Sequence, residues 1–197
     1  LGKSRTSSIQ REHAVRALGK TKNPAVSSDL LNALWDEDGE VRRLAGLALG
    51  ALGATVVPDL LAIFEEAEYP SDVYWTVARS LEHSGRSAIP HIAEHLIIPD
   101  LDIDLQRRLA SILVKLPADP QSIPGLVRIM YDRDETWRGI RQDAVDHLGT
   151  LAAVTELSNL LDTLDDGAMK MRITGRLREI GTPEAVGAAE AWLSSQR

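Results

Sequence analysis

The chain contains no cysteine. That excludes a disulfide framework, Cys-ligated zinc, iron–sulfur clusters and thiol chemistry, and it suits a reducing compartment. Aromatic residues are scarce, at 4%, and Phe occurs once. Long apolar runs are missing too. The longest uncharged stretch, Leu44 to Pro58, has 15 residues with three Gly and a Pro, too short to cross a bilayer. The segment Leu1 to Gln10 is polar and lacks the apolar centre of a signal peptide. The expectation is a cytoplasmic chain with no membrane role. It starts at Leu1 rather than Met, as a piece of a longer protein would. What is present is a Leu- and Ala-rich, helix-favouring mixture, 44% apolar and 26% charged over 197 residues, with a net charge of −7. Such a chain can bury a core and is not a disordered tail.

Self-similarity organises the whole sequence. Short motifs recur at Leu18-Gly19, Leu52-Gly53, Ser84-Gly85, Leu116-Pro117, Leu148-Gly149 and Ile180-Gly181, and their second residues are 34, 32, 32, 32 and 32 apart. Counting back from each of these markers, offset 12 holds Val41, Val73, Leu105, Trp137 and Met169, and offset 4 holds Val15, Leu49, Leu81, Leu113, Val145 and Leu177. Offset 8 is Ala45, Val77, Leu109 or Ile173, with Arg11 and Arg141 as exceptions. Offsets 12, 8, 4 and 1 trace one face of a helix of 3.6-residue period. This is the inner helix of each unit, and each marker reads as its end.

A second, outer helix follows each marker. Pro24, Pro58 and Pro90 each come five residues after a Gly, in the first helical turn where Pro is tolerated. Between outer and inner helix lies an acidic turn: Asp36, Glu68, Asp100 and Asp132 at offset 17, and Asp38, Asp102, Asp134 and Asp166 at offset 15, with Pro70 in the gap. Asp72, Asp104 and Thr136 stand where a helix N-cap is expected. A lone pair of helices cannot bury its apolar stripe, so neighbouring pairs must stack. The expected fold is an all-α, right-handed α-solenoid of stacked antiparallel helix pairs. It forms one domain over 1–197: a first helix at 9–19, pairs at 23–53, 56–85, 88–117, 119–149 and 151–181, and a last helix at 183–193.

The segment from Asn23-Pro24-Ala25-Val26, through Asp36-Glu37-Asp38-Gly39-Glu40-Val41-Arg42-Arg43-Leu44-Ala45, to Ala51-Leu52-Gly53 resembles the short HEAT-like repeats of the phycobilin-lyase type, as does Gly181-Thr182-Pro183-Glu184-Ala185-Val186. The likeness extends over almost the whole chain. It implies a right-handed superhelix whose inner helices line a concave groove, and it implies little about activity, because fold does not give function. Glu82-His83-Ser84-Gly85 and Val114-Lys115-Leu116-Pro117 depart from the usual Ala-Leu-Gly ending.

Chemical signatures are sparse. His91-Ile92-Ala93-Glu94-His95 fits the H-x-x-E-H zinc pattern, but it lies in a regular outer helix with no evident third ligand, and reads as a solvated surface pair. Glu12-His13, Glu82-His83 and Glu94-His95 resemble, in reversed order, the His-Glu pairs of HEAT-type iron hydroxylases, yet they fall at different offsets and would not converge. Arg42 with Asp36, and Arg138 with Asp132, are spaced by six and read as a structural Asp–Arg ladder along the seam between units. No phosphate loop or nucleophile elbow is present. No reaction, catalytic residue, metal or cofactor is assigned, and the protein is read as a non-enzyme.

Charge is unevenly placed. The six inner-helix windows carry fourteen Lys and Arg against eight Asp and Glu, a balance of +6, which leaves −13 for the rest of a chain of net −7. On a helical projection, offsets 10, 6 and 3 lie opposite the buried face and should turn toward the groove. They supply Arg43, Trp75, Arg107 and Met171, then Leu47 and Arg79, then Gly50, Val114 and Arg178. An exposed Trp among Arg side chains has the composition of an interface anchor. Trp137 and Trp192 fall on core offsets.

The expected function is therefore a non-catalytic interaction scaffold or adaptor. Its concave face, formed by Arg43, Leu47, Trp75, Arg79, Arg107, Val114, Met171 and Arg178, would bind a protein or peptide of acidic and apolar character. A nucleic-acid-binding role of the kind found in HEAT-like alkylpurine glycosylases is the first alternative; a net charge of −7 and a pI near 5.2 oppose it. A bilin-lyase-like enzyme subunit is the second, with no residue matching a catalytic motif.

Overall fold

The computed structural model describes residues 7–67, 71–132 and 134–196. Glu68 and Pro70 of the acidic turns lie outside the described residues. Among these residues the chain is helical throughout, with no strand, and consecutive helices pack in pairs as in an α-solenoid. It divides into two compact units, Leu1–His91 and Ile92–Arg197.

The first unit holds α1 (Ser8–Thr21), α2 (Ser27–Ala33), α3 (Gly39–Leu52), α4 (Val57–Glu66) and α5 (Asp72–Ser84). The division between units falls within α6 (Ile89–Leu96). Helices α1, α3 and α5 lie side by side as one layer, with α2 on α3 and α4 on α5. Val41, Ala45 and Leu49 of α3 and Val77 and Leu81 of α5 are buried, together with Leu30, Leu34, Leu60 and Phe64 of the outer layer. Each buried Leu or Phe contributes about 1.5–3 kcal/mol.

The second unit holds α7 (Ile103–Leu113), α8 (Ile123–Met130), α9 (Arg138–Thr150), α10 (Val154–Thr163), α11 (Gly167–Ile180) and α12 (Pro183–Ser195). Here α9 and α11 pack side by side, α8 packs on α7 and α9, and α10 and α12 cover α11. Trp137, Val145, Leu148, Ile173 and Leu177 form its core with Leu157, Leu160 and Leu161.

The acidic turns start the inner helices. Asp38 accepts the N–H groups of Glu40 and Val41, Asp102 that of Leu105, and Asp166 that of Met169, each satisfying donors that the first helical turn cannot pair. Asp134 caps the short 3-10 turn before α9 in the same way. The caps are thus the offset-15 residues, and Ser71 for α5. Asp72, Asp104 and Thr136, the expected caps, lie one or two residues further on, inside the first turn, where their oxygens can no longer reach back to the orphan donors.

Only some of the markers end helices. Gly53, Gly85 and Gly181 adopt φ of 66°, 58° and 73° just past α3, α5 and α11, a region that disfavours any Cβ. Gly19 and Gly149 instead sit inside α1 and α9. Their role is close approach: a Cβ on Gly19 would stand 2.8 Å from that of Ala48, and one on Gly149 3.1 Å from the Arg176 side chain.

The ladder along the seam is also built differently from the expectation. Arg42 donates to the main-chain oxygens of Asp36 and Glu37 and crosses to the Asp72 carboxylate on α5. The Asp36 carboxylate is taken by Arg11 on α1, through Nε and Nη2. Arg138 pairs with Glu135, while Asp132 accepts the Asp134 N–H, so no Arg138–Asp132 pair forms. Arg11 breaks the apolar pattern at offset 8 because that position faces the acidic turn of the next pair.

Candidate functional site

Helices α3 and α5 run together closely because α3 carries Gly46 and Gly50 on its α5 side. A Cβ on Gly46 would stand 2.7 Å from Ser80 Oγ, and one on Gly50 2.7 Å from the Ser80 main-chain oxygen. Ser80 is itself buried, its hydroxyl donating back to Thr76 O. Along the solvent-exposed side of this seam runs a groove of about 380 Å³, lined by Arg42, Arg43, Leu47, Trp75, Thr76 and Arg79 among others.

Trp75 is 51% exposed. Its ring meets Tyr74 edge-on at 4.9 Å, and Tyr74 is buried and stacked on Phe64, also at 4.9 Å. An aromatic chain therefore runs from the core to the groove and fixes the indole's place. Leu47 adds exposed apolar surface opposite, on α3.

Three guanidinium groups border the groove, in three different states. Arg42 is mostly enclosed and spent on Asp36 O, Glu37 O and Asp72. Arg43 grips Glu40 of its own helix through Nε and Nη2, both at 2.7 Å. That hydrogen bonding holds the Glu40 carboxyl below the usual range, with the charges of Arg43 and Arg16 acting in the same direction. Arg79 is exposed and, among the described residues, makes no hydrogen bond or ion pair. The groove thus presents one uncommitted cation beside an anchored Trp.

Of the eight residues expected on the concave face, four line this groove: Arg43, Leu47, Trp75 and Arg79. The other four lie in the second unit. Arg107 on α7 reaches Asp134 at 3.1 Å and lies 5.7 Å above the centre of the buried Trp137 ring. The Asp134 carboxyl is held low by the Thr136 N–H and hydroxyl, and by Arg107. Val114 is half-buried at the end of α7, and Met171 is exposed on α11. Arg178 donates to Glu190 of α12.

Gly50 is buried against Ser80 and His83 instead of facing the groove. Offset 3 is rotated about 35° from the centre of the exposed face toward the neighbouring inner helix. Asp146, also at offset 3, confirms the direction by accepting hydrogen bonds from Arg172 and Arg176 on α11. Burial pushes its carboxyl up, and the two guanidinium partners together more than reverse that and hold it low. Arg42, read from the sequence as a seam residue alone, is also a wall of the groove. The four-residue spacing of Gly46 and Gly50 was the available signal for the close approach.

Among the described residues no group of three or more His, Asp or Glu side chains could hold a metal ion, and no helix is long and apolar enough to cross a membrane.

Residues 4–82 match the HEAT repeats family. That span runs from before α1 into α5 and includes every wall of the groove. Comparison with curated proteins finds no match. Among solved structures, human deoxyhypusine hydroxylase in complex with glycerol is similar at 18% identity, with 95% of this chain aligned to 74% of that one and a TM-score of 0.39. An engineered protein is similar at 16% identity, with coverage of 96% and 94% and a TM-score of 0.38.

Proposed function

We propose that the protein is a non-catalytic interaction module whose α3–α5 groove binds a segment of a partner protein, an acidic side chain set beside an apolar one. The observation that carries this reading is Trp75, half-exposed yet held by Tyr74, next to an Arg79 with no partner among the described residues. HEAT repeats generally mediate protein interaction, and the matched span contains the groove. The recurrent 32-residue step supports assigning the repeats to the short, phycobilin-lyase-type class.

In this reading the partner's apolar side chain lies on Trp75 and Leu47, and its carboxylate meets Arg79. Large aromatic and Arg side chains in partly enclosed sites are the usual energetic centres of interfaces. Selection from a displayed random peptide library tests the idea. The enriched peptides should carry Asp or Glu within a few residues of Leu, Ile, Phe or Trp. Trp75→Ala and Arg79→Glu should each weaken them about tenfold or more. Peptides that bind both variants as they bind the parent would place recognition elsewhere.

A further inference from the structure

The link between α6 and α7 carries a second exposed apolar surface. Three of the nine large apolar side chains exposed among the described residues fall within seven positions there: Ile97, Ile98 and Ile103, at 49%, 43% and 47%. A single exposed Ile is ordinary, but three on one short link are a patch, and a patch of this kind marks a contact surface. The link is fixed at both ends. The Ile98 N–H donates to His95 O at 3.1 Å, and Asp102 Oδ1 accepts the Leu105 N–H at 2.9 Å as the cap of α7. Between them Asp100 turns the chain at φ 60°, a region that Asp enters more readily than most residues. A projection already held in place loses little freedom when it docks.

The carboxylates of this link differ in what they hold. Asp102 is spent on its cap, and Asp104 pairs with Arg107 at 3.4 Å. Asp100 is exposed and, among the described residues, makes no hydrogen bond or ion pair. The link therefore offers one uncommitted carboxylate, two residues after an exposed Ile pair. The α3–α5 groove offers the converse, an uncommitted Arg79 beside exposed Trp75 and Leu47.

We propose that residues 97–104 of one copy dock in the α3–α5 groove of a second copy, with Ile97 and Ile98 on Trp75 and Leu47 and with Asp100 meeting Arg79. This rests on the reading of that groove as a site for an acidic side chain beside an apolar one, and it names a second copy of the chain as the partner. Charge selects this occupant for the link: Asp100, Asp102 and Asp104 would be repelled by an anionic lipid surface, whereas Arg79 attracts Asp100. Groove and link are different surfaces, so each copy can give one and receive the other, and the product is a closed ring of two or more copies or an open array. So small a contact belongs to the weak, transient class, with a dissociation constant of about 10 µM to 1 mM.

Sedimentation equilibrium of the whole chain up to about 1 mM, at low salt, tests the assignment. The mean mass should rise with concentration above that of one copy. Arg79→Glu and Asp100→Lys should each weaken the association about tenfold or more. Both positions are exposed, and Lys22 already occupies the same backbone region at φ 49°, so neither variant should disturb the fold. Asp100→Lys lowers the net negative charge and Arg79→Glu raises it, so a general charge effect would drive the two variants in opposite directions. An equimolar mixture of the two should associate again, because it pairs an intact groove with an intact link. Both substitutions in one chain should also restore association, through the swapped pair. The proposal is overturned by a chain that stays monomeric at about 1 mM, by association that either single variant leaves unchanged, or by a mixture that stays monomeric. A monomeric chain that still binds the selected peptides through Trp75 and Arg79 overturns the self-docking alone and leaves the groove reading standing. A monomeric chain that binds none overturns both.

Discussion

Arg11 and Asp36, 25 residues apart, meet in a two-point ion pair that ties α1 to the turn preceding α3. The Arg11 hydrogen bonds hold the Asp36 carboxyl below its ordinary value, aided by the Asp38 N–H and by the charges of Arg11 and Arg42. Because the native value is depressed, the contribution to stability is fully present above the unfolded carboxyl value of about 3.9 and is lost as pH falls through the native one. Asp36→Asn should therefore melt roughly 2–4 °C below the parent at pH 7. The two melting curves should converge on acidification through and below the depressed native carboxyl value. A gap that stays constant with pH would exclude the pair as its source.

Glycine substitutions should separate by location. Gly50→Ala places a Cβ 2.7 Å from the Ser80 main-chain oxygen, which cannot rotate away, so α3 and α5 must part. The expected loss is about 1–3 kcal/mol, against a helix-propensity gain of up to about 1 kcal/mol. Gly175→Ala and Gly187→Ala, within α11 and α12 with nothing within 4 Å of the new methyl group, should gain about 0.5–1 kcal/mol each. Chemical denaturation of the three variants tests both signs at once.

Trp137 and Trp35 are opposite cases. Trp137 is 0% exposed, and Trp137→Ala should cost about 3–5 kcal/mol by denaturant titration. Trp35 is 62% exposed at the end of α2, and Trp35→Ala should stay within about 0.5 kcal/mol of the parent.

Glu40 restrains the groove. It holds Arg43 in a two-point pair on α3, so Glu40→Gln should free a second cation next to Arg79. Under the proposed function, acidic peptides selected on the parent should bind this variant about two- to fivefold more tightly at low salt, with the gain shrinking at high salt. Weaker binding to Glu40→Gln would mean that Glu40 itself contacts the peptide.

The helical layers were legible from periodicity. Every offset-4 residue, from Val15 to Leu177, is buried, and offsets 10 and 6 carry Arg43, Trp75, Leu47 and Arg79 on exposed surface. A period of 3.6 residues separates two opposite faces well. It resolves the flanks poorly, because one residue's error in direction is about 100°. For that reason Gly50 and Asp146, near the edge of the exposed arc, proved to face the neighbouring helix.

By itself the sequence determined the all-helical architecture, the pairing of helices, the buried stripe and the concentration of positive charge on the inner helices, since these follow from spacing along one chain. Only the tertiary structure decided which charges remain available. Arg11, Arg42, Arg43, Arg107 and Arg178 are each held by a carboxylate, some on the same helix and some on another element. Arg79 has no such neighbour among the described residues, and Arg141 has an incomplete one. Whether a cation is spent or free depends on atoms a few ångströms away in space, often 25 or more residues away in the chain, as for Arg11 and Asp36, and helical periodicity carries no information about that distance.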